Sequence, residues 1–372
     1  MGSIRKILTH LTRDSWDLLG FVHVASDQVN FIRTESFRIR WLVKLFKRKL
    51  FLRLLGQQRR ILHQIPSRSA RVLWINLSAT SIGDTLMDLS GRRLLEGMDI
   101  DLLTAPSCSQ LFLNDDVFRV VHTDRRQAKQ SHKRHPYDLF IVDSFSTRSV
   151  GCKAVIDRQA PMISIYGFIN GFEIHRTEFS FARVSQIAPT SVTATECVPR
   201  LPMLGGKFRS VCPPSRPELG HVGIVVGGSW SHRRYSHWVD VIDALGAPEG
   251  VVLLGSGNGV EDARRIKAVF PVCNDYVGKC SLLETVNLIQ DCNVILAADG
   301  GLWHVATALE KPTVLLFSAL SLFDSRGEHV SRATRDMDCQ ALYHPIAVDY
   351  IPPAMVTDSF MLLQKRNKQG SD

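Results

Sequence analysis

The stretch AADGGLWHVATALEKPTVLLF, residues 297–317, places a polar turn between two apolar segments. The run that ends at Asp299 and the run TVLLF (313–317) are typical of buried strands, and LWHVATALE (302–310) is typical of a helix. A strand, a turn, a helix and a second strand make up the repeating unit of parallel sheets. The stretch therefore predicts an α/β fold, with its glycine turn at the carboxyl edge of a sheet.

Apolar runs of the same kind recur along most of the chain. They are rich in Val, Ile and Leu and lie a helix length apart, as in parallel sheets with both faces covered. The other runs are VLWINLS (72–78), IDLLTA (100–105), RVVHT (119–123), DLFIVDSF (138–145), PMISIYGF (161–168), HVGIVVG (221–227), GVVLLG (250–255) and NVILAAD (293–299). A segment rich in proline and glycine, residues 199–220, interrupts the series and is typical of a linker.

These runs predict two Rossmann-like domains that face each other across a cleft. A chain of 372 residues is long enough for two hydrophobic cores. We expect a first domain at residues 71–205 and a second at residues 206–350. A basic helical extension at residues 1–70 would precede them, and a C-terminal helix or tail at residues 351–372 would follow.

Cysteine usage and hydropathy indicate a cytoplasmic protein. The eight cysteines form no CxxC pair, which is typical of reduced thiols and not of a disulfide framework or a zinc site. No apolar stretch approaches the ~20 residues that span a membrane, and the N-terminus has no clean secretory signal.

Positive charge is concentrated in the extension. The net charge is +9, and residues 1–70 hold 14 Lys and Arg against 4 Asp and Glu, whereas the remaining 302 residues hold 31 against 32. At helical spacing within residues 38–63, one apolar stripe consists of Ile39, Leu42, Val43, Phe46, Leu50 and Leu54. Such a helix either lies on an anionic membrane surface or packs on the protein body or a partner. Nucleic-acid binding is disfavoured because no recognised module accompanies the charge.

Polar residues follow three predicted strands of the second domain. Asp299, Gly300 and Gly301 follow one strand, and His304 falls in the first turn of the next helix, where free N–H groups favour a phosphate. Asp299 as a simple helix cap is the alternative. After the strand at 221–227, arginines stand at positions 233 and 234. Their guanidinium groups either stabilise a leaving pyrophosphate or are simply exposed to solvent.

The turn after the strand at 250–255 argues against a dinucleotide cofactor. Gly255, Gly257 and Gly259 do not match the GxGxxG fingerprint, so a dehydrogenase is disfavoured and no cofactor is expected. Glu261 follows in the first helical turn, where it either bonds ribose hydroxyls or complements the helix dipole.

In the first domain, the strand at 72–78 leads into Ser81-Ile82-Gly83-Asp84. Asp84 is suited to act as a general base on a hydroxyl nucleophile. Capping of a helix predicted at residues 85–96 is the alternative role.

Together these junctions resemble glycosyltransferase family 9, the bacterial ADP-heptose:lipopolysaccharide heptosyltransferases. The family's S-x-G-D motif is matched at residues 81–84. Its D-x-G-x-x-H motif is matched at residues 299–304, with Pro-Thr-Val at 312–314, and its K-R-W/Y-P segment is answered by Arg-Arg-Tyr-Ser at 233–236. The resemblance covers roughly residues 71–350.

The resemblance implies a GT-B fold and an inverting, metal-independent transfer of heptose from ADP-heptose to a lipopolysaccharide core or related acceptor. The first domain is implied to bind the acceptor, with Asp84 as the base, and the second to bind the donor. By position, the donor-binding residues are Ser229, Arg233, Arg234, Glu261, Asp299, Gly300, Gly301 and His304. The DxD patterns at 99–101 and 336–338 stand in poor context for a metal. A peripheral location at the inner face of the inner membrane would bring the enzyme to a lipid-linked acceptor.

Two other functions fit the same fold. The acceptor is a protein of the autotransporter type in one, and the chain is a non-catalytic sugar-nucleotide-binding protein in the other. Three departures from the family pattern bear on this choice: Arg233 in place of lysine, Gly300 in place of a frequent threonine, and Ser-Ala-Leu at 318–320 in place of G-x-T. They imply a different nucleotide sugar or a weakened activity.

Overall fold

The chain folds into two compact α/β units, Met1–Pro199 and Arg200–Asp372. The structure is a computed structural model that describes residues 39–67, 71–78, 80–168, 176–188, 220–228, 230–318 and 339–369. In each unit the described residues form one parallel sheet with helices packed against it. The predicted α/β class is confirmed. Nearly all of the predicted linker lies outside the described residues.

The sheet of the first unit has the order β3-β2-β1-β4-β5, with every pair parallel. Its strands are β1 (Arg71–Asn76), β2 (Asp99–Thr104), β3 (Phe118–His122), β4 (Leu139–Val142) and β5 (Met162–Ser164). Its helices are α1 (Ile39–Leu54), α2 (Ile82–Asp88), α3 (Pro106–Ser109), α4 (Arg125–Arg134), α5 (Thr147–Ile156) and α6 (Arg176–Ile187). All five predicted strands are present; β1, β4 and β5 are shorter than predicted, and β2 and β3 have the predicted length but begin one residue earlier. Every residue of the central strand β1 is buried.

Helix α2 begins earlier than the sequence predicted. The hydroxyl of Ser81 accepts a hydrogen bond from the backbone N–H of Asp84 at 3.1 Å, so Ser81 is the N-cap and Asp84 lies in the first turn. The helix predicted at residues 85–96 is therefore wrong, because α2 ends at Asp88 and a 3₁₀ turn occupies Arg92–Leu95. Gly91 separates the two, and a Cβ there would lie 2.7 Å from Cβ of Val184 in α6.

The sheet of the second unit has the order β11-β10-β9-β6-β7-β8, again with parallel pairs throughout. Its strands are β6 (Val222–Val225), β7 (Val251–Leu254), β8 (Asn274–Asp275), β9 (Val294–Ala298), β10 (Thr313–Ser318) and β11 (Cys339–His344). Its helices are α7 (Trp238–Leu245), α8 (Val260–Val269), α9 (Leu282–Asp291), α10 (Gly301–Ala308) and α11 (Pro353–Gln369). The four predicted strands are confirmed. The edge strands β8 and β11 were not predicted, because one has two residues and the other is only partly buried.

Helix α1 of the extension packs on the body of the first unit, but with a different face from the predicted one. Leu42, Leu45 and Leu52 are buried, whereas Val43, Leu50 and Leu54 of the predicted stripe are 36%, 42% and 69% exposed. Leu52 joins the hydrophobic core that contains β1, β4 and α5 residues. Half of the predicted stripe is thus exposed, and leucines stand on both faces of this helix. Within the described residues no helix combines the length and the apolar character needed to cross a membrane.

The segment after α1 is tied to the body by hydrogen bonds. Gln57 is fully buried, donates through Nε2 to the carbonyl of Arg158 at 2.9 Å, and accepts at Oε1 from Lys153 Nζ at 2.8 Å. Burial lowers the pKa of Lys153 to about 8. Further along, Ile61 forms a bridge with Met162, whose carbonyl accepts from the N–H of Leu62 at 2.8 Å. The extension thus covers the outer edge of β5.

We expect Gln57→Ala to destabilise the first unit by about 1–3 kcal/mol, because the buried ammonium of Lys153 loses an acceptor. Urea unfolding followed by circular dichroism measures the change. Gln58→Ala is the matched control, since Gln58 is exposed, and it should change the free energy of unfolding by less than about 0.5 kcal/mol. Equal effects of the two substitutions would contradict the buried role of Gln57.

Candidate active site

The strand order of the second unit brings three polar turns to one place. Strand β6 lies between β9 and β7, so the turns that follow these strands are neighbours at the carboxyl edge of the sheet. The chain builds the sheet outward from β6 on one side and then from β9 on the other. The edge between β6 and β9 is therefore the switch point at which open α/β sheets bind ligands.

Two of the predicted donor-site residues meet at this switch point. Nη2 of Arg233, in the turn after β6, lies 3.2 Å from Oδ2 of Asp299, in the turn after β9. The other oxygen of Asp299 accepts from the indole N–H of Trp303 at 3.2 Å. Asp299 does not cap α10, whose N-cap is Gly300 and has no side-chain cap bond. The carboxylate instead holds the guanidinium beside the first turn of α10.

Two buried nitrogen atoms beside this ion pair have no hydrogen-bond partner within the described residues. They are Nε of Arg233 and Nε2 of His232. Burial lowers the pKa of His232, and the neighbouring charge of Arg233 lowers it further, so the imidazole is neutral near neutral pH. Buried polar atoms without partners are rare and usually bind water or a ligand. His232 was not predicted, because the sequence around the arginines gave no sign that one of its ring nitrogens is inaccessible to solvent.

Glycines let the turns after β6 and β7 pack backbone against backbone. Gly227 has φ +86°, and a Cβ there would lie 2.7 Å from Cα of Gly259. A Cβ on Gly259 would lie 2.7 Å from the carbonyl oxygen of Val226. Only residues without a side chain allow this approach. Gly300, in contrast, has extended backbone with φ −178°, which any residue adopts.

The remaining predicted donor residues lie around the same edge with other contacts. Arg234 donates to the buried carboxylate of Asp262 at 2.9 Å and so ties the β6 turn to α8. Glu261 is exposed and pairs with Arg264 in its own helix. Gly301 is the first residue of α10, and the ring of His304 lies 4.1 Å from that of Trp303. Ser229 lies outside the described residues.

The predicted base Asp84, in the first unit, is part of a buried ionic network. Nη1 of Arg176 contacts Oδ1 of Asp84, while Nε and Nη2 of the same guanidinium bind both oxygens of Asp88 at 2.6–3.0 Å. The hydroxyl of Tyr166 donates to Asp88 Oδ1 at 2.7 Å, and Asn76 donates to Oδ2 at 3.2 Å. Asp88 is buried and Asp84 is 35% exposed, so Arg176 joins an interior carboxylate to one that reaches solvent.

Burial and pairing shift the pKa values within this network in a consistent way. Burial raises the pKa of Asp88 to about 6, and the charge of Arg176 limits the rise. Burial alone would lower the pKa of Arg176, but the carboxylates of Asp88 and Asp84 hold it above its ordinary value. The guanidinium therefore stays charged, and Asp88 is ionised at neutral pH. The sequence gave no sign of Arg176, which lies 92 residues from Asp84 along the chain.

A second carboxylate fixes the backbone that leads to Asp84. Asp143 follows β4 and accepts from the N–H groups of Leu77 and Ser78 at 2.7 and 2.5 Å. It also accepts from the Ser78 hydroxyl at 2.7 Å and the Ser144 N–H at 2.5 Å. Strands β1 and β4 are the switch-point pair of this sheet, so the contact joins the turns at its centre. Sequence reasoning missed Asp143 as well.

The DxD pattern at residues 99–101 belongs to an ion cluster. Asp101 accepts from Arg71 at 2.7 Å, from Arg119 at 3.0 Å and from the Tyr137 hydroxyl at 2.6 Å. Burial alone would raise the pKa of Asp101, but its hydrogen bonds and the arginine charges hold it well below its usual range. Its carboxylate therefore binds side chains of its own unit. The pattern at residues 336–338 lies outside the described residues.

The sequence around the second-unit site is similar to that of known proteins. Residues 212–322, which include all three turns, match the family model for glycosyltransferase family 9 (heptosyltransferase). The second unit is therefore similar to glycosyltransferase family 9 over these residues. Lipopolysaccharide heptosyltransferase 2 of Escherichia coli (strain K12) is 29% identical over 152 residues, 37% of this chain and 43% of that protein. The chain thus spans less than half the length of the curated relatives it matches.

Solved structures share the fold of both units. The structure of E. coli ADP-heptose LPS heptosyltransferase II has a TM-score of 0.61 and 19% identity, covering 80% of this chain and 99% of that chain. E. coli heptosyltransferase WaaC with ADP-2-deoxy-2-fluoro heptose has a TM-score of 0.58 and 14% identity, covering 80% and 99%. The likeness confirms the predicted GT-B class with two Rossmann-like α/β domains. Their facing across a cleft stays a prediction.

We expect Gly227→Ala to destabilise the second unit by about 1–3 kcal/mol, because the new Cβ collides with Gly259 and the backbone stays at positive φ. Equilibrium unfolding in urea measures the loss. Gly257→Ala is the control, since a Cβ at Gly257 meets no atom within 4 Å. A loss as large for Gly257 as for Gly227 would show that the close contact is not responsible.

We expect Arg176→Met to cost about 3–5 kcal/mol, because the variant leaves the Asp88 carboxylate buried without its cation. The pKa of Asp88 then rises further above its ordinary value, so the folded protein binds a proton that the unfolded chain releases. The free energy of unfolding should therefore fall as the pH rises from about 5 to about 8. Thermal unfolding across this range measures it, with the exposed Arg134→Met as control. A pH dependence unchanged from the wild type would refute the assignment.

Proposed function

We propose that the protein is an inverting, metal-independent glycosyltransferase that moves heptose from ADP-heptose to a lipopolysaccharide core or a related acceptor. The observation that carries the proposal is the Arg233–Asp299 pair at the switch point of a family 9 domain. ADP-heptose comes from the relatives, since matched proteins act with this donor or were solved with its analogue.

The donor half of the reaction falls to the turns of the second unit. Negative charge grows on the pyrophosphate as the sugar leaves, and the site offers the guanidinium of Arg233 against it. The first turn of α10 adds backbone N–H groups and the positive end of a helix dipole. The neutral imidazole of His232 supplies a further donor in its Nε2–H tautomer. Ser229, Arg234, Glu261, Gly300, Gly301 and His304 complete the proposed donor site.

The acceptor half falls to Asp84. Its carboxylate takes the proton of the acceptor hydroxyl, while the hydroxyl oxygen attacks the anomeric carbon opposite the leaving ADP. The bond from the sugar to the pyrophosphate breaks, ADP departs with the electron pair, and the configuration inverts. Arg176 is a positioning residue, because its bidentate contact with buried Asp88 fixes the guanidinium that holds Asp84.

A peripheral location on the cytoplasmic face of the inner membrane belongs to the same proposal. A lipid-linked acceptor is presented there, and the helix α1 keeps an exposed face with apolar side chains. Val43, Lys47, Leu50 and Leu54 recur every three or four residues along that face. Packing of the opposite face on the body leaves this one available to an anionic lipid surface.

The test is transfer by Asp84→Asn with ADP-heptose and a cell-envelope extract, followed by mass spectrometry of lipid and protein fractions. We expect turnover to fall by about 10²- to 10⁴-fold, because the amide cannot accept the proton. Affinity for ADP, measured by calorimetry beside UDP and GDP, should stay close to that of the wild type. Asp116→Asn, at an exposed aspartate of the same unit, is the control.

Full turnover in Asp84→Asn would refute the base. A heptose mass increment found only in the protein fraction would show that the acceptor is a protein and not lipopolysaccharide. Binding of ADP without turnover against any extract would favour a non-catalytic sugar-nucleotide-binding protein.

A further inference from the structure

A groove lined by arginines lies at the end of α1, and most of its lining residues precede the part of the chain that resembles family 9. It has a volume of about 780 Å³. Its cationic side chains come from two segments a hundred residues apart, the α1 end with its following turn and the end of α5. They are Arg53, Arg59, Arg60 and Arg158.

Within the described residues this charge has no carboxylate partner. Arg60 donates to the neutral side chain of Gln159, and Arg158 donates through Nε to the carbonyl of Leu55 at 3.1 Å. Arg53 and Arg59 are exposed, and no described Asp or Glu lines the groove. Four like charges gathered without a counter-charge raise the local potential and attract anions. Other arginine clusters of the same unit, such as that around Asp101, do hold carboxylates.

The chemistry of the groove favours phosphate. A guanidinium presents a planar set of N–H donors that matches the oxygens of a phosphate group, and it binds such groups in pairs of hydrogen bonds. Gln58 and Gln159 add neutral donors at the rim. A groove of this size admits more than one phosphate group.

Exposed apolar residues beside the groove indicate that the phosphate belongs to a lipid. Leu54 is 69% exposed and follows Arg53 directly, and Leu50 and Val43 continue the same face of α1. A site for a soluble anion gives no reason for leucines at its rim, whereas an interfacial helix needs both charge and apolar side chains. We infer that the groove binds headgroup phosphates of an anionic phospholipid surface while Val43, Leu50 and Leu54 enter the interface. This inference rests on the proposed membrane location and assigns the residues that create it.

Co-sedimentation of the full chain with vesicles at about 0.15 M salt tests the inference. Vesicles of phosphatidylcholine alone are compared with vesicles that contain about 30% phosphatidylglycerol. The test variant is Arg53→Gln with Arg59→Gln, because both arginines are exposed and neither side chain has a hydrogen bond or ion pair within the described residues. The control is Arg126→Gln with Arg134→Gln, exposed arginines of α4, which removes the same charge elsewhere. Unfolding midpoints of both variants are compared with the wild type.

We expect the wild type to bind only the anionic vesicles and the Arg53/Arg59 variant to bind them about 25-fold more weakly, because each basic residue at such a surface contributes about fivefold. The control variant should bind like the wild type. Calorimetry with inorganic pyrophosphate forms the soluble arm, in which the wild type should show the weaker binding of an isolated anion.

Equal losses of vesicle binding in both variants would refute the groove as the phosphate site and would attribute the binding to net charge alone. If the wild type binds anionic vesicles and the Arg53/Arg59 variant binds them equally well, the groove is not the phosphate site, although the proposed membrane location is retained. Tight pyrophosphate binding, lost in that variant, with no vesicle binding would assign the groove to a soluble ligand and overturn the lipid. Heptose transfer in detergent is measured in parallel, so a failure of the catalytic proposal is seen separately.

Discussion

Each unit depends on the constraint that its first strand lies inside its sheet. The first strand of each sheet, β1 or β6, is central, so the later strands are added first on one side of it and then on the other. Because the connections are parallel crossovers, every strand ends at the carboxyl edge of the sheet. The carboxyl ends of β1 and β4, and of β6 and β9, then become neighbours. Asp143 binds the turn after β1, and Asp299 binds the arginine after β6. In both units a carboxylate that follows one central strand binds the turn that follows the other, although the two turns are far apart in sequence.

The carboxylates of the molecule fall into two kinds, and the difference is burial. Asp88 and Asp101 are enclosed, and arginine, tyrosine or histidine groups satisfy their oxygens. Asp84 and Asp299 are about one-third exposed, and they pair with Arg176 and Arg233, respectively. A buried ion pair is costly to break and so holds its members in place. Arg176 carries that rigidity from Asp88 to Asp84, and a carboxylate that is held in place but still reaches solvent suits the proposed role of Asp84 as the base.

Local patterns predicted the strands and the polar turns, because a buried parallel strand needs a continuous apolar run and turns that pack backbone against backbone need glycine. The same patterns could not identify Arg176 or Asp143, whose partners lie 92 and 65 residues away and leave no local trace. The buried face of α1 could not be identified from the sequence for another reason. Leucines stand on both sides of that helix, and only the shape of α5 and the sheet beneath selects Leu45 and Leu52 over Leu50 and Leu54. Predictions for Asp84 and the donor residues rest on resemblance, and their roles remain predictions.

The bridge between Ile61 and Met162 has a consequence for any shortened form of the protein. A chain cut back to the region that resembles family 9 would begin near Arg71 and would lack the segment that pairs with β5. Backbone N–H and C=O groups of the edge strand β5 would then be exposed and could pair with another strand. The core cluster that Leu52 joins would also lose that side chain. Such a fragment would tend to join copies of itself edge to edge. By covering the edge of β5, the basic extension protects the first unit from aggregation of this kind.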